Sequence, residues 1–408
     1  MGGIKMNKAK CCGCRACEQI CPKQCIKIYE DKNGFVYPKI NEKECIHCNM
    51  CKKVCPMINS EEAKNKEGKA YALIHKDKNV INQSSSGGAF TTLAEIVANQ
   101  YEGNYSIYGA TMDENLKVKH IRITNISKLN LLQKSKYVQS NMKDIFYSIK
   151  EDLNANKTVL FVGTPCQVAA VKLYTKNIQN GKLILVDLVC HGVPSQKIFD
   201  KYIESVENRE KGKIKDYKFR NKKRFLNAID PYAIKYTLIK DKKVKTINQF
   251  SFDNEYMRTF FQNLIFRPSC FECPYATSNR VGDVTIADFW GISEINSKLN
   301  PDKGISLLLI NNNEIIENIE KNIKNIAIIE EEKYELIKEY NNNLSRPSLK
   351  NKNYEDFMKR LETEDFCKLA NDFVNKKGKI TFLISKNMSN KLKKKIKRIL
   401  KGELSNEN

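Results

Sequence analysis

Thr158-Val-Leu-Phe-Val162 followed by Gly163-Thr-Pro-Cys166-Gln, and Leu183-Ile-Leu-Val-Asp-Leu-Val189 followed by Cys190-His-Gly-Val-Pro194, decide the fold of this 408-residue chain. Both apolar runs read as strands, and the second is continuous enough for a sheet covered on both faces. Gln167–Tyr174 between them is helical in composition, so the unit reads as strand, crossover helix and parallel strand. Each run ends in a turn that bears a cysteine. Ligands of open α/β sheets sit beyond the carboxyl ends of parallel strands, so Cys166 and Cys190 are expected as neighbours in space. A pair of core thiols is the alternative, but core thiols have no reason to choose strand-end turns.

Downstream, an apolar helix expected over Tyr256–Phe266 leads into Arg267-Pro-Ser-Cys270-Phe-Glu-Cys273-Pro-Tyr275. This isolated pair supplies the two thiolates that Cys166 and Cys190 lack for an Fe4S4 site. A redox disulfide or half a zinc site competes with that reading. A redox pair usually opens a helix after a strand, whereas this one lies in a loop after a helix. Val281–Ala287 then reads as a strand ending in Asp288-Phe-Trp-Gly291, and Leu307–Ile310 as another buried strand. Trp290, the only tryptophan, either stacks near a cofactor or fills the core.

Upstream, one cysteine pattern is written twice: Cys11-x2-Cys14-x2-Cys17-x3-Cys21-Pro22 and Cys45-x2-Cys48-x2-Cys51-x3-Cys55-Pro56. Three thiolates on one short loop hold three corners of an Fe4S4 cube, and the fourth cysteine of each run ligates the other cluster. One cluster is therefore expected on Cys11, Cys14, Cys17 and Cys55, and the other on Cys45, Cys48, Cys51 and Cys21. Zinc knuckles need a longer gap between their pairs, so residues 1–58 read as a two-cluster ferredoxin module. Cys12 and Cys25 fall outside the register and read as packing residues, and His47 as a solvated loop histidine. Cys25–Tyr29 and Gly34–Tyr37 read as a short hairpin, and Asn59–Lys69 as a polar linker.

Beyond it come a strand at Ala70–His75 and Gln83-Ser-Ser-Ser-Gly-Gly-Ala-Phe90. An apolar-periodic helix follows, carrying Phe90, Leu93, Ala94 and Val97. A Ser-Ser-Gly-Gly turn opening a helix offers hydroxyls, N–H groups and a positive dipole end to an anion; a plain N-cap after a tight turn is the other reading. Tyr105–Met112 and Val118–Ile123 read as further strands.

Fifteen cysteines in a chain expected to be cytoplasmic point to metal or redox chemistry rather than disulfides. No apolar signal segment precedes Cys11, and no apolar run reaches the length of a membrane span. The formal charge of +23 raises nucleic acid and anionic membranes as partners. Lysine is spread through the whole chain, however, so charge alone says little and nucleic acid is set aside. Lys211–Arg224, interleaved with Tyr217 and Phe219, reads as a receiver for an acidic substrate, a nucleotide tail or RNA, or as a solvated loop. The tail Lys376–Lys401 reads as a basic amphipathic helix suited to an anionic membrane or an acidic partner, or as a solvated tail.

The matching stretches Ser85-Ser-Gly-Gly-Ala-Phe90, Gly163-Thr-Pro-Cys166-Gln, Cys190-His-Gly-Val-Pro194, Arg267–Tyr275 and Gly282–Gly291 together resemble the coenzyme F420 hydrogenase/dehydrogenase β-subunit family. The resemblance implies a third Fe4S4 cluster on Cys166, Cys190, Cys270 and Cys273, and an FAD approached by Ser85, Ser86, Gly87 and Gly88. No Gly-x-Gly-x-x-Gly fingerprint or P-loop supports a nucleotide from the sequence itself. The expected fold is α/β, α+β when the whole chain is counted. Its parts are a ferredoxin module (1–58), a flavin and iron–sulfur core (69–312) and a helical, basic C-terminal region (313–408). The expected function is an iron–sulfur flavoprotein oxidoreductase, working with an electron donor or acceptor protein such as ferredoxin and an unidentified small-molecule acceptor. A non-catalytic electron-transfer subunit is the alternative. No catalytic residue is assigned; His191 is a candidate proton donor.

Overall fold

The structure, a computed structural model, describes residues 7–65, 68–225, 228–300, 304–312 and 322–374. The basic tail at Lys376–Lys401 lies outside them. At the N-terminal end, Ile26–Glu30 (β1) and Val36–Ile40 (β2) pair antiparallel, as the alternating run and the Asp31-Lys-Asn-Gly34 turn predict. Short helices Ala16–Gln19 (α1) and Met50–Lys53 (α2) lie inside the two cysteine runs. The expected linker is not free chain. Ser60–Ala63 (α3) sits there with Ala63 buried, and Lys172 Nζ donates to its carbonyl at 3.0 Å.

Eight strands build the central sheet. In chain order they are Lys69–His75 (β3), Tyr105–Met112 (β4), Val118–Ile123 (β5), Thr158–Gly163 (β6), Lys182–Leu188 (β7), Val284–Asp288 (β13), Ser306–Ile310 (β14) and Ala327–Glu332 (β15). Across the sheet the order is β15-β3-β14-β13-β7-β6-β4-β5. The strands β4, β6, β7 and β13 run parallel; antiparallel strands flank them on both sides. Val159, Leu160 and Phe161 of β6 have no exposed surface, because helices cover both faces. Burying each contributes about 1.5–3 kcal/mol, which is why the run can be apolar without alternation. The helix Ala89–Gln100 (α5), preceded by Lys78–Gln83 (α4), packs on one face. Ile145–Asn154 (α6) and Pro165–Thr175 (α7) pack on the other.

Beside this sheet, Gln196–Glu210 (α8), the strands Lys213–Lys218 (β8), Lys223–Phe225 (β9), Ala228–Asp230 (β10), Ile234–Lys240 (β11) and Lys243–Gln249 (β12), and Glu255–Phe261 (α9) form a second layer. Tyr217 and Phe219 are buried core here, in edge-to-face contact at 4.9 Å, so they are not an exposed stacking platform for a nucleic acid. The helix expected through Phe266 stops at Phe261, where Asn263 takes a positive φ of 56° and turns the chain. The C-terminal region is not wholly helical: β15 extends the core sheet by pairing with β3, and Phe366–Phe373 packs on α8 and α9. The Ala327-Ile-Ile run of β15 supplies strand composition in a stretch otherwise rich in helix formers.

The ferredoxin-type module is held against the core by specific bonds. Gln19 Nε2 donates to Met142 O at 2.9 Å, the Tyr275 hydroxyl to Pro56 O at 2.5 Å, and Gln139 Nε2 to Cys12 O at 2.7 Å.

Candidate metal centres and cofactor cavity

The two strand-end turns meet as their sequences require. Thr164 caps α7 in a capping box: its backbone N–H donates to Gln167 Oε1 at 3.1 Å, with Pro165 in the first turn. That cap fixes Cys166 at the carboxyl end of β6. On the neighbouring strand, Asp187 orders the approach to Cys190. Its carboxylate accepts from Arg280 at 3.0 Å and from the N–H groups of Val281 and Gly282 at 3.1 and 3.0 Å. Arg267 N donates to Val193 O and Cys270 N to Arg267 O, both at 2.9 Å, which lays the Cys270 loop on the Cys190 turn.

The result is a group of four thiols, Cys166, Cys190, Cys270 and Cys273, close enough to act on one another's ionisation. Burial, with mutual repulsion, pushes Cys190 up to about 12 and Cys273 up to about 11. The Cys166 thiol, beside that of Cys12, is raised well above its usual range, as burial does to Cys270. Thiols crowded in this way ionise together only with cations among them, and that donor set suits iron or zinc.

In the N-terminal module the thiols of the two cysteine runs come together in space. Cys17 and Cys55 adjoin each other and Cys11, and Cys14 adjoins both of them. Cys21, Cys45, Cys48 and Cys51 line a second small cavity together with Pro22 and Cys25. Cys21 thus lies with cysteines of the second run and Cys55 with those of the first, while Cys51 adjoins Cys17 and Cys55 as well. Cys25 is buried with its sulfur 3.4 Å from that of Cys21, and buried Cys12 lies between Cys14 and Cys166. His47 is exposed, its Nδ1 3.8 Å from the Cys45 sulfur.

A cavity of about 290 Å³ opens beyond the carboxyl ends of β6, β7 and β13, at the small end of ligand pockets. Cys190 and His191 line it on one side, and Ser84–Ser86 with Gly88–Thr91 on the other. Tyr137, Tyr232, Phe260 and Trp290 give it an aromatic wall. Trp290 is 37 % exposed and stacked on Tyr232 at 6.0 Å, so it does not fill the core. Arg220 braces this wall: it bonds both Asp288 oxygens at 2.8 and 3.0 Å, the Tyr137 hydroxyl at 3.2 Å and Ser85 O at 2.8 Å.

Three of the four residues expected near a flavin, Ser85, Ser86 and Gly88, line the cavity; Gly87 does not. The turn's hydroxyls are mostly committed to the fold. Ser86 Oγ donates to Ile305 O at 2.7 Å, Ser85 Oγ accepts from Ser135 N at 3.0 Å, and Gly87 N donates to Ser306 Oγ at 2.9 Å. Gly87 is there for room, since a Cβ would sit 2.3 Å from Leu73 O and 2.6 Å from Ser306 N. Gly87→Ala is expected to cost ~1–3 kcal/mol by overpacking, read by denaturant unfolding, with ligand affinity of the folded protein unchanged. What remains for an anion is the N terminus of α5, which no side chain caps.

Two residues of this wall were not legible as functional. Lys136 is half-buried, and its ammonium donates to Ala110 O, Leu132 O and Gln133 O at 2.7, 3.1 and 2.7 Å, with desolvation lowering it to about 7. His120 Nε2 lies 3.0 Å from Val162 O, while its Nδ1 has no partner among the described residues, and burial holds it down to about 4. The alternation of Val118, His120 and Arg122 along β5 was the only signal: it sets His120 on the inward face with Val118.

Residues 156–336 match the family described as the C terminus of the coenzyme F420 hydrogenase/dehydrogenase beta subunit, and residues 10–58 match a 4Fe-4S dicluster domain. The core is similar to the F420 hydrogenase/dehydrogenase β-subunit family. No curated protein matches the sequence. A chain from a structure of the F420-reducing NiFe hydrogenase complex of Methanosarcina barkeri is similar at 16% identity and a TM-score of 0.44, over 75% of this chain and 91% of that one. With a dicluster domain in front of a β-subunit-family core, this is an iron–sulfur redox protein. No helix of the described residues is long and apolar enough to cross a membrane.

Proposed function

We propose that this iron–sulfur protein is a flavin-dependent oxidoreductase. In this reading a third Fe4S4 site sits on Cys166, Cys190, Cys270 and Cys273, and an FAD lies in the cavity beside it. The observation that carries it is the double position of Cys190: its thiol belongs to the four-cysteine group and its turn lines the cavity. When bound, the clusters supply one-electron transfer and the flavin the two-electron step to an organic acceptor.

The chain's own residues bind and orient. The swapped thiol groups, Cys11, Cys14, Cys17 and Cys55 against Cys21, Cys45, Cys48 and Cys51, tie the two halves of the ferredoxin-type module together. Lys134, Lys136 and Arg220 set three cations against the single carboxylate of Asp288 along the described wall, a balance that favours an anionic ligand. The uncapped start of α5 offers phosphate oxygens its N–H groups. Neutral His120 offers Nδ1 as an acceptor, and the aromatic wall excludes water from one face of a flat ring. His191, exposed at the rim, remains the candidate proton carrier. An electron-carrier protein supplies the reducing equivalents.

Anaerobic purification with iron, sulfide and flavin counts tests this reading; about twelve irons are expected from three Fe4S4 clusters, with one FAD. A second outcome follows from Lys136. Its proton is lost as pH rises through about 7, so FAD affinity is expected to fall across that range. Lys136→Gln removes that charge, whose three N–H groups are already bonded to backbone carbonyls, and should weaken FAD binding severalfold through lost attraction alone, with a flat pH profile between 6 and about 8. Flavin fluorescence titration reads both.

A further inference from the structure

Four arginines of the core are almost wholly buried, and three have carboxylates nearby. Arg280 bonds Asp187 at 3.0 Å, Arg220 bonds Asp288 at 2.8 Å, and Arg258 lies near Glu255 and Asp253. Arg267, with no exposed surface, is in no salt bridge among the described residues. Each of its three nitrogens makes one hydrogen bond, all to neutral acceptors: Nε to Cys11 O at 2.6 Å, Nη1 to Gln139 Oε1 at 3.0 Å and Nη2 to Val36 O at 2.5 Å. The guanidinium lies over the rings of Phe35 and Tyr37 at 5.4 and 4.7 Å. Hydrogen bonds engage all three nitrogens, but a buried charge also needs compensating charge, or it costs several kcal/mol.

The place of that charge supplies the missing partner. Cys11, whose carbonyl it binds, is one of the thiols in the first N-terminal group, and the same cysteine loop makes room for it. A Cβ on Gly13 would stand 2.7 Å from Arg267 Nη1, at a φ of 66° that already favours glycine. On its other side, the Arg267 backbone is bonded to Val193 and Cys270, and its charge reaches Cys166. It therefore stands between the first thiol group of the module and the four-cysteine group of the core.

We infer that Arg267 is the fixed counter-charge shared by these two iron–sulfur sites, and that it makes them easier to reduce. Adding one electron to a thiolate-bound cluster adds one negative charge beside Arg267, so the guanidinium stabilises the reduced form more than the oxidised one. Among the described residues no hydrogen bond joins Arg267 to Cys21, Cys45, Cys48 or Cys51, and the site on those four cysteines serves as the internal control. The inference rests on the iron–sulfur reading above.

Arg267→Gln and Arg267→Lys, purified anaerobically as full-length holoprotein and titrated redox-potentiometrically with EPR detection, test it. In the glutamine variant the reduced-to-oxidised ratio of the Cys11-group cluster at fixed poise should fall at least tenfold, or 59 mV for a one-electron couple. The control cluster should stay within about threefold, as should the Cys11-group cluster of the lysine variant, which keeps charge without the planar fork. An unmoved ratio in the glutamine variant overturns the inference. So does an equal fall in both variants, or an equal fall in both ferredoxin-type clusters. If the glutamine variant does not retain iron, the lysine variant decides alone: a near-native ratio supports the role, and a tenfold fall overturns it. Fewer than about eight irons in the native protein would instead defeat the cluster reading itself.

Discussion

Cys270→Ser is expected to lower the iron content from about twelve to about eight per chain, with the ferredoxin-type clusters intact and electron delivery to the flavin lost. The reason is geometric. Cys270 and Cys273 come from one loop and Cys166 and Cys190 from two strand ends, so no other cysteine is placed to replace a missing corner except Cys12. That residue lies beside Cys166 and Cys14, on the side towards the first ferredoxin-type group. Retained FAD with about eight irons would locate the third site on these four cysteines. An unchanged count of about twelve would reject Cys270 as a ligand, and a native count of about eight would reject the third site altogether. The Cys12→Ala variant separates a substitute ligand from a packing residue, since packing alone leaves the iron count unchanged.

The second large effect concerns stability. Asp187→Ala is expected to destabilise the core by about 3–5 kcal/mol, because it strands Arg280 as an uncompensated buried charge. Asp187 has no exposed surface and Arg280 1 %, so water cannot take over the lost contacts. The two backbone N–H groups of Val281 and Gly282 lose their acceptor as well. A fall in melting temperature of roughly 4–10 °C should accompany this loss. Asp187→Asn keeps an acceptor for those N–H groups but not the charge, and should fall between the two. Because Asp187 ties β7 to the start of β13, just before Cys190, iron at the four-cysteine site should be lost with it. A loss below about 1 kcal/mol, the worth of an exposed pair, would mean that the pair is solvated.

The doubled cysteine run and the strand–helix–strand unit were legible because each is local: ligand spacing on one loop, and apolar runs with their caps. They pointed to a swapped pairing of Cys21 and Cys55 and to the neighbourhood of Cys166 and Cys190. Boundaries were less legible. The chain from Glu314 onward is rich in helix formers, yet β15 joins the sheet because β3 offers it an open edge. The Ser-Ser-Gly-Gly turn was visible as a turn, but its hydroxyls are consumed by Ser135 and Ile305, residues far away in sequence. Lys136 and His120 carry no motif at all.

By itself, then, the sequence determined the kinds of donor in this protein and which of them lie at strand ends, since thiolate spacing and apolar periodicity are properties of short segments. Tertiary structure alone decided which charges are left over. Arg267, Arg280 and Arg220 look alike as residues, and only packing gives two of them a carboxylate and leaves Arg267 against the cysteine loops. A counter-charge is a sum over neighbours from distant parts of the chain, and such a sum exists only once the chain has folded.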